Sequence, residues 1–154
     1  MEIFAFDNSE KWVPVNDKIK FLVDYLTPDQ SYKLQVVLKK GIDFKINYDD
    51  DRLPIMSELT EEQKAKFDAA WDLFMKTYLK YVIKNWSGVI DGKGKEIKCV
   101  LVDNELEDRL WVILCNQKML VAFLFSEAFT KVLRWSDTDK KKFISEEDSN
   151  MKAD

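Results

Sequence analysis

Apolar and polar residues alternate over short runs in the first quarter of the chain. Ile3-Phe4-Ala5-Phe6 and Trp12-Val13-Pro14-Val15 are β-prone segments separated by the turn-forming Asp7-Asn8-Ser9. Ile19, Phe21 and Val23 alternate with Lys18, Lys20 and Asp24, the period of a half-buried strand. The pattern changes at Thr27-Pro28-Asp29-Gln30. Thr27 can cap the first backbone N–H groups of a helix, Pro28 suits its first position, and Gln30 can close the capping box. This predicts a helix to Lys40, with Gly41 in the left-handed position just past its end. Ile42, Phe44, Ile46 and Tyr48 then alternate with Asp43, Lys45 and Asn47, predicting another strand.

Residues 49–58 carry three consecutive Asp, then Arg52 and Pro54, and predict a loop. Thr60-Glu61-Glu62-Gln63 repeats the capping chemistry and opens the longest helix, about 60–85. Phe67, Ala70, Trp71, Phe74, Tyr78, Tyr81 and Val82 recur at three-and-four spacing on one of its faces. Ser87 to Lys98 reads as a β-hairpin that turns through Asp91-Gly92-Lys93-Gly94. Two more helices are predicted, about 104–116 and 118–135. The second contains Met119 to Phe125, seven consecutive apolar residues, so it is apolar on every side. One side can pack on Trp71, Phe74 and Tyr78, and another on Leu110 and Ile113. A helix in so small a domain rarely finds cover all round, which makes Phe123, Phe125 and Phe129 the candidate partner-binding residues.

The expected fold is therefore α+β and mainly helical. It has a small N-terminal β-sheet, a long central helix, a β-hairpin and a C-terminal helical pair. Residues 1–135 form the single globular domain. Residues 136–154 are charged or small and polar apart from Phe143 and Ile144, and are expected to be a mobile tail with room for one helical turn near 138–144.

Composition narrows the chemistry. The 154 residues contain no His, which removes Ser-His-Asp and Cys-His catalysis, His-ligated zinc and imidazole switching. Net charge is −4 and evenly spread, so no segment is basic enough for a non-specific nucleic-acid binder. Cys99 and Cys115 have neither a third thiol nor a CxxC spacing, which argues against a disulfide framework or zinc site and for a reducing, cytoplasmic setting. Met1-Glu2-Ile3-Phe4 lacks the basic and long apolar regions of a secretion signal. No cofactor is expected.

Four constellations deserve a chemical reading beside the plain one. Asn47, Asp49, Asp51 and Glu58 match positions 1, 3, 5 and 12 of a calcium loop, but Arg52 stands where the sharp turn needs Gly, and a solvated acidic loop is the expectation. Asp91 with Glu96-Ile97-Lys98 resembles the D…ExK pattern of metal-dependent nucleases, a short pattern that arises often by chance. Lys76, Lys80 and Lys84 form a stripe with Trp86 just beyond, which could meet phosphates and bases; projection places it opposite the aromatic face, as a solvated back face would be. Leu110 to Phe125 is strongly apolar but broken by Asn116-Gln117-Lys118, which predicts two buried helices rather than a bilayer span.

Two features together resemble phage tail assembly chaperone-like proteins, small proteins encoded near the tape-measure gene of long-tailed phages. One is a strand run leading into Leu26-Thr27-Pro28-Asp29-Gln30. The other is a long helix ending in Trp86-Ser87-Gly88-Val89-Ile90-Asp91-Gly92-Lys93-Gly94-Lys95, followed by helices. The resemblance spans residues 19–30 and 67–135 and singles out Trp86, Gly88, Asp91 and Gly94 as its motif; Lys98-Cys99-Val100-Leu101 departs from it. It implies a non-enzymatic helper, in the host cytoplasm, that contacts a tape-measure or tail-tube protein and can self-associate, without nucleic acid or membrane. The other functions open at this point are a nuclease using Asp91, Glu96 and Lys98, and an inhibitor of a host defence, as small acidic phage proteins can be.

Overall fold

The computed structural model describes residues 11–133. The expected strand at Ile3–Phe6, the last residues of the final helix up to Trp135, and the tail with Phe143 and Ile144 lie outside them.

The fold is α+β and mainly helical. Strand β1 (Lys11–Pro14) pairs antiparallel with β2 (Lys20–Val23), with Trp12 opposite Leu22 and Val13 opposite Phe21. Helix α1 (Pro28–Gly41) follows, then a loop with one 3-10 turn (Met56–Glu58), then α2 (Glu61–Val82). With 22 residues α2 is about 33 Å long. Both helix starts carry the expected capping box: Thr27 Oγ1 accepts from Gln30 N–H, Thr60 Oγ1 from Gln63 N–H, and each glutamine side chain accepts from the threonine N–H in return.

Beyond α2 the chain turns straight into β3 (Ile83–Ser87), which pairs antiparallel with β2 and completes a three-stranded sheet in the order β1-β2-β3. The helix expected to about residue 85 thus ends at Val82, and its last turn is strand. Pairing shifts between Leu22 and Val23, which face Asn85 and Ile83, so Lys84 is passed over. That bulge brings both Ile83 and Trp86, three residues apart, to the buried face. A strict period of two is lost, and with it the sequence signal of a strand.

Three further expectations are corrected. Residues 42–47 are irregular, and only an isolated bridge links Tyr48 to Pro54. Ile42, Phe44 and Ile46 are half-buried between exposed neighbours, so the alternation reports which side faces inward although no ladder forms. Gly41 lies inside α1, with Ile42 as the cap, and its φ is not positive. The helix expected from 104 starts later. Residues 101–106 form a small hairpin, β4 (Leu101–Val102) with β5 (Glu105–Leu106), turning through Asp103 (φ 52°) and Asn104 (φ 64°), the left-handed pair of a type I′ turn. Helix α3 (Asp108–Cys115) and α4 (Lys118–Leu133) end the described chain.

One core joins these elements. Val13, Phe21 and Val23 of the sheet, Tyr78, Leu79 and Val82 of α2, and Val121, Leu124 and Ala128 of α4 are all buried in it. Helix α2 packs on α1 and on α4, and α4 also touches β1. No single helix among the described residues is long and apolar enough to cross a membrane; α3 and α4 together reach the length but are bent by 107°.

Candidate functional site

Trp86 anchors the region carrying the sequence motif. Its ring is buried, meets Phe21 edge-to-face at 5.8 Å, and its Nε1–H donates to Ile97 O at 2.6 Å. That bond ties the far arm of the 88–97 hairpin to the sheet. Gly88 has φ 81°, and a Cβ there would lie 1.9 Å from Lys18 O, so only glycine lets the hairpin leave the sheet beside the β1–β2 turn. Asp91 Oδ1 accepts from Lys93 N–H at 2.8 Å and Lys95 N–H at 2.9 Å, and Gly94 closes the turn at φ 79°. Cross-strand bonds run from Asp91 N–H to Lys95 O and from Ile97 N–H to Val89 O. The hairpin was legible in the sequence. Trp86, Gly88, Asp91 and Gly94 build it and hold it to the sheet.

Between this hairpin, the sheet and the α3–α4 joint lies a cavity of about 320 Å³. Phe21, Trp86 and Leu114 are its buried walls, whereas Ile90 and Ile113 are 60% and 44% exposed and form its open side. Gln117, at the joint, adds a carboxamide to an otherwise apolar lining. Nothing in the sequence marks Ile90 or Ile113 as exposed, because alternation and helical period give a side but not what covers it. A second, shallower-walled groove of about 500 Å³ follows the α1–α2 seam over Val36, Val37, Ala70 and Leu73, with the Lys66–Asp43 ion pair (3.6 Å) at its edge.

The three phenylalanines of α4 part company. Phe125 is 9% exposed and packs its ring on Trp71 (5.7 Å), Phe74 (6.0 Å) and Tyr78 (5.2 Å). It is core, which corrects its reading as a partner-binding residue. Phe129 touches Phe125 and Tyr78 yet keeps 40% of its surface, and Phe123 is exposed to the same extent. Met119, one turn before Phe123, is the most exposed large apolar side chain among the described residues.

The remaining candidates serve the fold. The acidic loop caps itself: Asp49 Oδ1 accepts from Asp51 N–H and Leu53 N–H, Asn47 Nδ2 donates to Glu58, and Arg52 takes the left-handed φ of 63°. Among the described residues, no three of His, Cys, Asp and Glu are grouped so as to hold a metal ion. Glu96 lies across the hairpin from Ile90, while Asp91 Oδ1 is taken up by two backbone N–H groups of the turn.

The lysine stripe is not the solvated back face expected. Lys76 pairs with Asp72 at 2.7 Å, which raises its pKa; Lys80 pairs with Asp108 and sits over the Trp111 ring. Lys84 donates to Tyr81 O, Asn104 O and Asn104 Oδ1, and burial lowers its pKa. Lys80 therefore ties α3 to α2, and Lys84 ties the β4–β5 turn to β3 and the end of α2. Both cysteines are unpaired; burial pushes the Cys99 thiol up to about 11 and raises Cys115 as well, so neither is a ready nucleophile. Comparison of the chain with protein-family models, with curated proteins and with solved structures finds no match.

Proposed function

We propose that the chain is a non-enzymatic protein-binding module that receives an apolar segment of a client in the cavity beside the 88–97 hairpin. On the resemblance of its helix start and hairpin motif, the client is a tape-measure or tail-tube protein, and the module is a tail assembly chaperone. The observation that carries the reading is the cavity itself. A hairpin fastened by Trp86, Gly88 and Asp91 walls an apolar space whose open side is two exposed isoleucines, Ile90 and Ile113. Partially covered apolar pockets with aromatic walls are where protein partners place their anchors. The polar groups support it too, since one carboxylate of the D…ExK pattern, Asp91, has an oxygen engaged by two backbone N–H groups of the turn.

Co-expression with the tape-measure protein of the same genome tests this. The expected outcome is a client that moves from the pellet to the soluble fraction and co-elutes with the chain. Ile90→Glu and Ile113→Glu each abolish co-elution while the variant still melts within a few degrees of the parent. A client whose solubility and elution ignore the chain refutes the proposal.

A further inference from the structure

The cavity has a rim of the opposite sign to the molecule. The chain carries a net charge of −4. The turns that supply the lining, with Lys98 just past the hairpin and the first residue of α4, nevertheless present five exposed lysines (Lys18, Lys93, Lys95, Lys98 and Lys118) against three exposed carboxylates, Asp17, Asp91 and Glu96. Among the described residues Lys93, Lys95 and Lys98 form no ion pair with a carboxylate. One of the three acids, Asp91, already has an oxygen engaged by two backbone donors. Positive potential thus collects around an apolar opening on an acidic protein.

We infer that the cavity takes a client segment in which one aromatic or aliphatic anchor is followed by a run of carboxylates. This rests on the protein-binding reading above and deepens it. A volume of about 320 Å³ is at the bottom of the range for small-molecule pockets, roughly 300–1,000 Å³, and gives room for an anchor rather than for a large ligand. Burial of the anchor supplies affinity, and Gln117 can bond its backbone. The lysines supply direction: exposed charges within about 10 Å of one another still interact at moderate salt, so carboxylates beside the anchor are drawn in and lysines are turned away. Five exposed ammonium groups on flexible stems also favour a flexible acidic tail over one fixed geometry, because no single pairing has to be held.

Fluorescence anisotropy with two labelled synthetic peptides tests the inference. Both carry a Phe-Ile anchor; one continues with three glutamates, the other with three lysines. The acidic peptide is expected to bind the full chain at least roughly tenfold more tightly than the basic one, with the gap closing as salt rises. In the double variant Lys95→Glu/Lys98→Glu, the preference falls below about threefold with an unchanged melting temperature. Ile113→Glu weakens both peptides. Equal binding of the two peptides overturns the inference, as does capture of phosphatidylserine vesicles with neither peptide bound. The two proposals fail separately: a client still held normally by Lys95→Glu/Lys98→Glu sinks the charge rule alone, whereas one held normally by Ile90→Glu and Ile113→Glu removes the cavity from both.

Discussion

At the scale of single residues, three buried or half-buried aromatic side chains show how polar atoms are handled. Trp86 and Trp111 each direct the indole N–H to a backbone carbonyl, Ile97 O and Lys76 O, so ring burial leaves no donor unmet. Tyr78 differs. Its ring is 1% exposed and enclosed by Phe125 and Phe129, and its hydroxyl has no hydrogen-bond partner among the described residues. Burial accordingly drives the phenol pKa far above its ordinary value. An unmet buried hydroxyl costs about 1–3 kcal/mol, so removing it while keeping the ring is favourable. Tyr78→Phe is expected to raise stability by about 1 kcal/mol, read as a higher urea midpoint at constant slope. A loss of the same size would mean that the hydroxyl is bonded after all.

Between elements, a close approach is made where α1 ends against α2. A Cβ on Gly41 would lie 2.4 Å from Ala70 Cβ and 3.2 Å from Ala70 Cα, a collision with the body of α2 that no rotamer can relieve. Helix propensity alone favours alanine at this helical position by up to about 1 kcal/mol. Overpacking, at about 1–3 kcal/mol, outweighs it and forces the helices apart. Gly41→Ala is therefore expected to lower the urea midpoint by the equivalent of about 1–2 kcal/mol. Gly41→Ala/Ala70→Gly should recover part of that loss, because it returns the missing space from the other side. A single variant as stable as the parent would show that α1 shifts at no cost. The same packing logic divides α4. Val121, Leu124, Phe125 and Ala128 make one buried stripe, which leaves Met119 and Phe123 outside although residues 119–125 are all apolar.

For the whole molecule, the buried titratable groups set the alkaline limit. The Cys99 thiol moves from an ordinary value of 9.0 up to about 11 because burial disfavours the thiolate. Between those values the unfolded chain has lost a proton that the folded chain keeps, so rising pH favours unfolding. The contribution is intact below about pH 9 and declines as pH climbs to about 11. Tyr78 and Tyr81, also raised chiefly by burial, extend the decline above their ordinary value of 10.0. Lys84 opposes it: its lowered pKa lets the folded chain shed a buried charge earlier than the unfolded one, so stability rises as pH passes toward 10.5. Urea midpoints between about pH 8 and pH 11 should fall, and Cys99→Ser should fall less over that window than the parent. Parallel curves would refute the assignment to Cys99.

What the sequence determined by itself is local. Both capping boxes, the Asp91–Gly94 turn, the inward side of β2 and the start of α2 depend on neighbours within a few residues, where backbone hydrogen bonds and side-chain period leave direct marks. Where the alternation of residues 42–48 finds no ladder, where α2 gives way to β3, and why Gly41 is glycine were decided by the tertiary structure. In the last two cases the partner lies far along the chain: the edge of β2 claims Ile83 to Ser87, and Ala70 leaves room only for a hydrogen at Gly41. The candidate site divides in the same way. Trp86, Gly88, Asp91 and Gly94 could be read as one motif because a hairpin is contiguous. The cavity could not, because Phe21, Ile90 and Ile113 come from separate elements, and exposure depends on what those elements leave uncovered. Phe125 and Phe123, two residues apart in an all-apolar run of α4, have the same local signature; only the position of Trp71, Phe74 and Tyr78 makes one of them core and leaves the other at the surface.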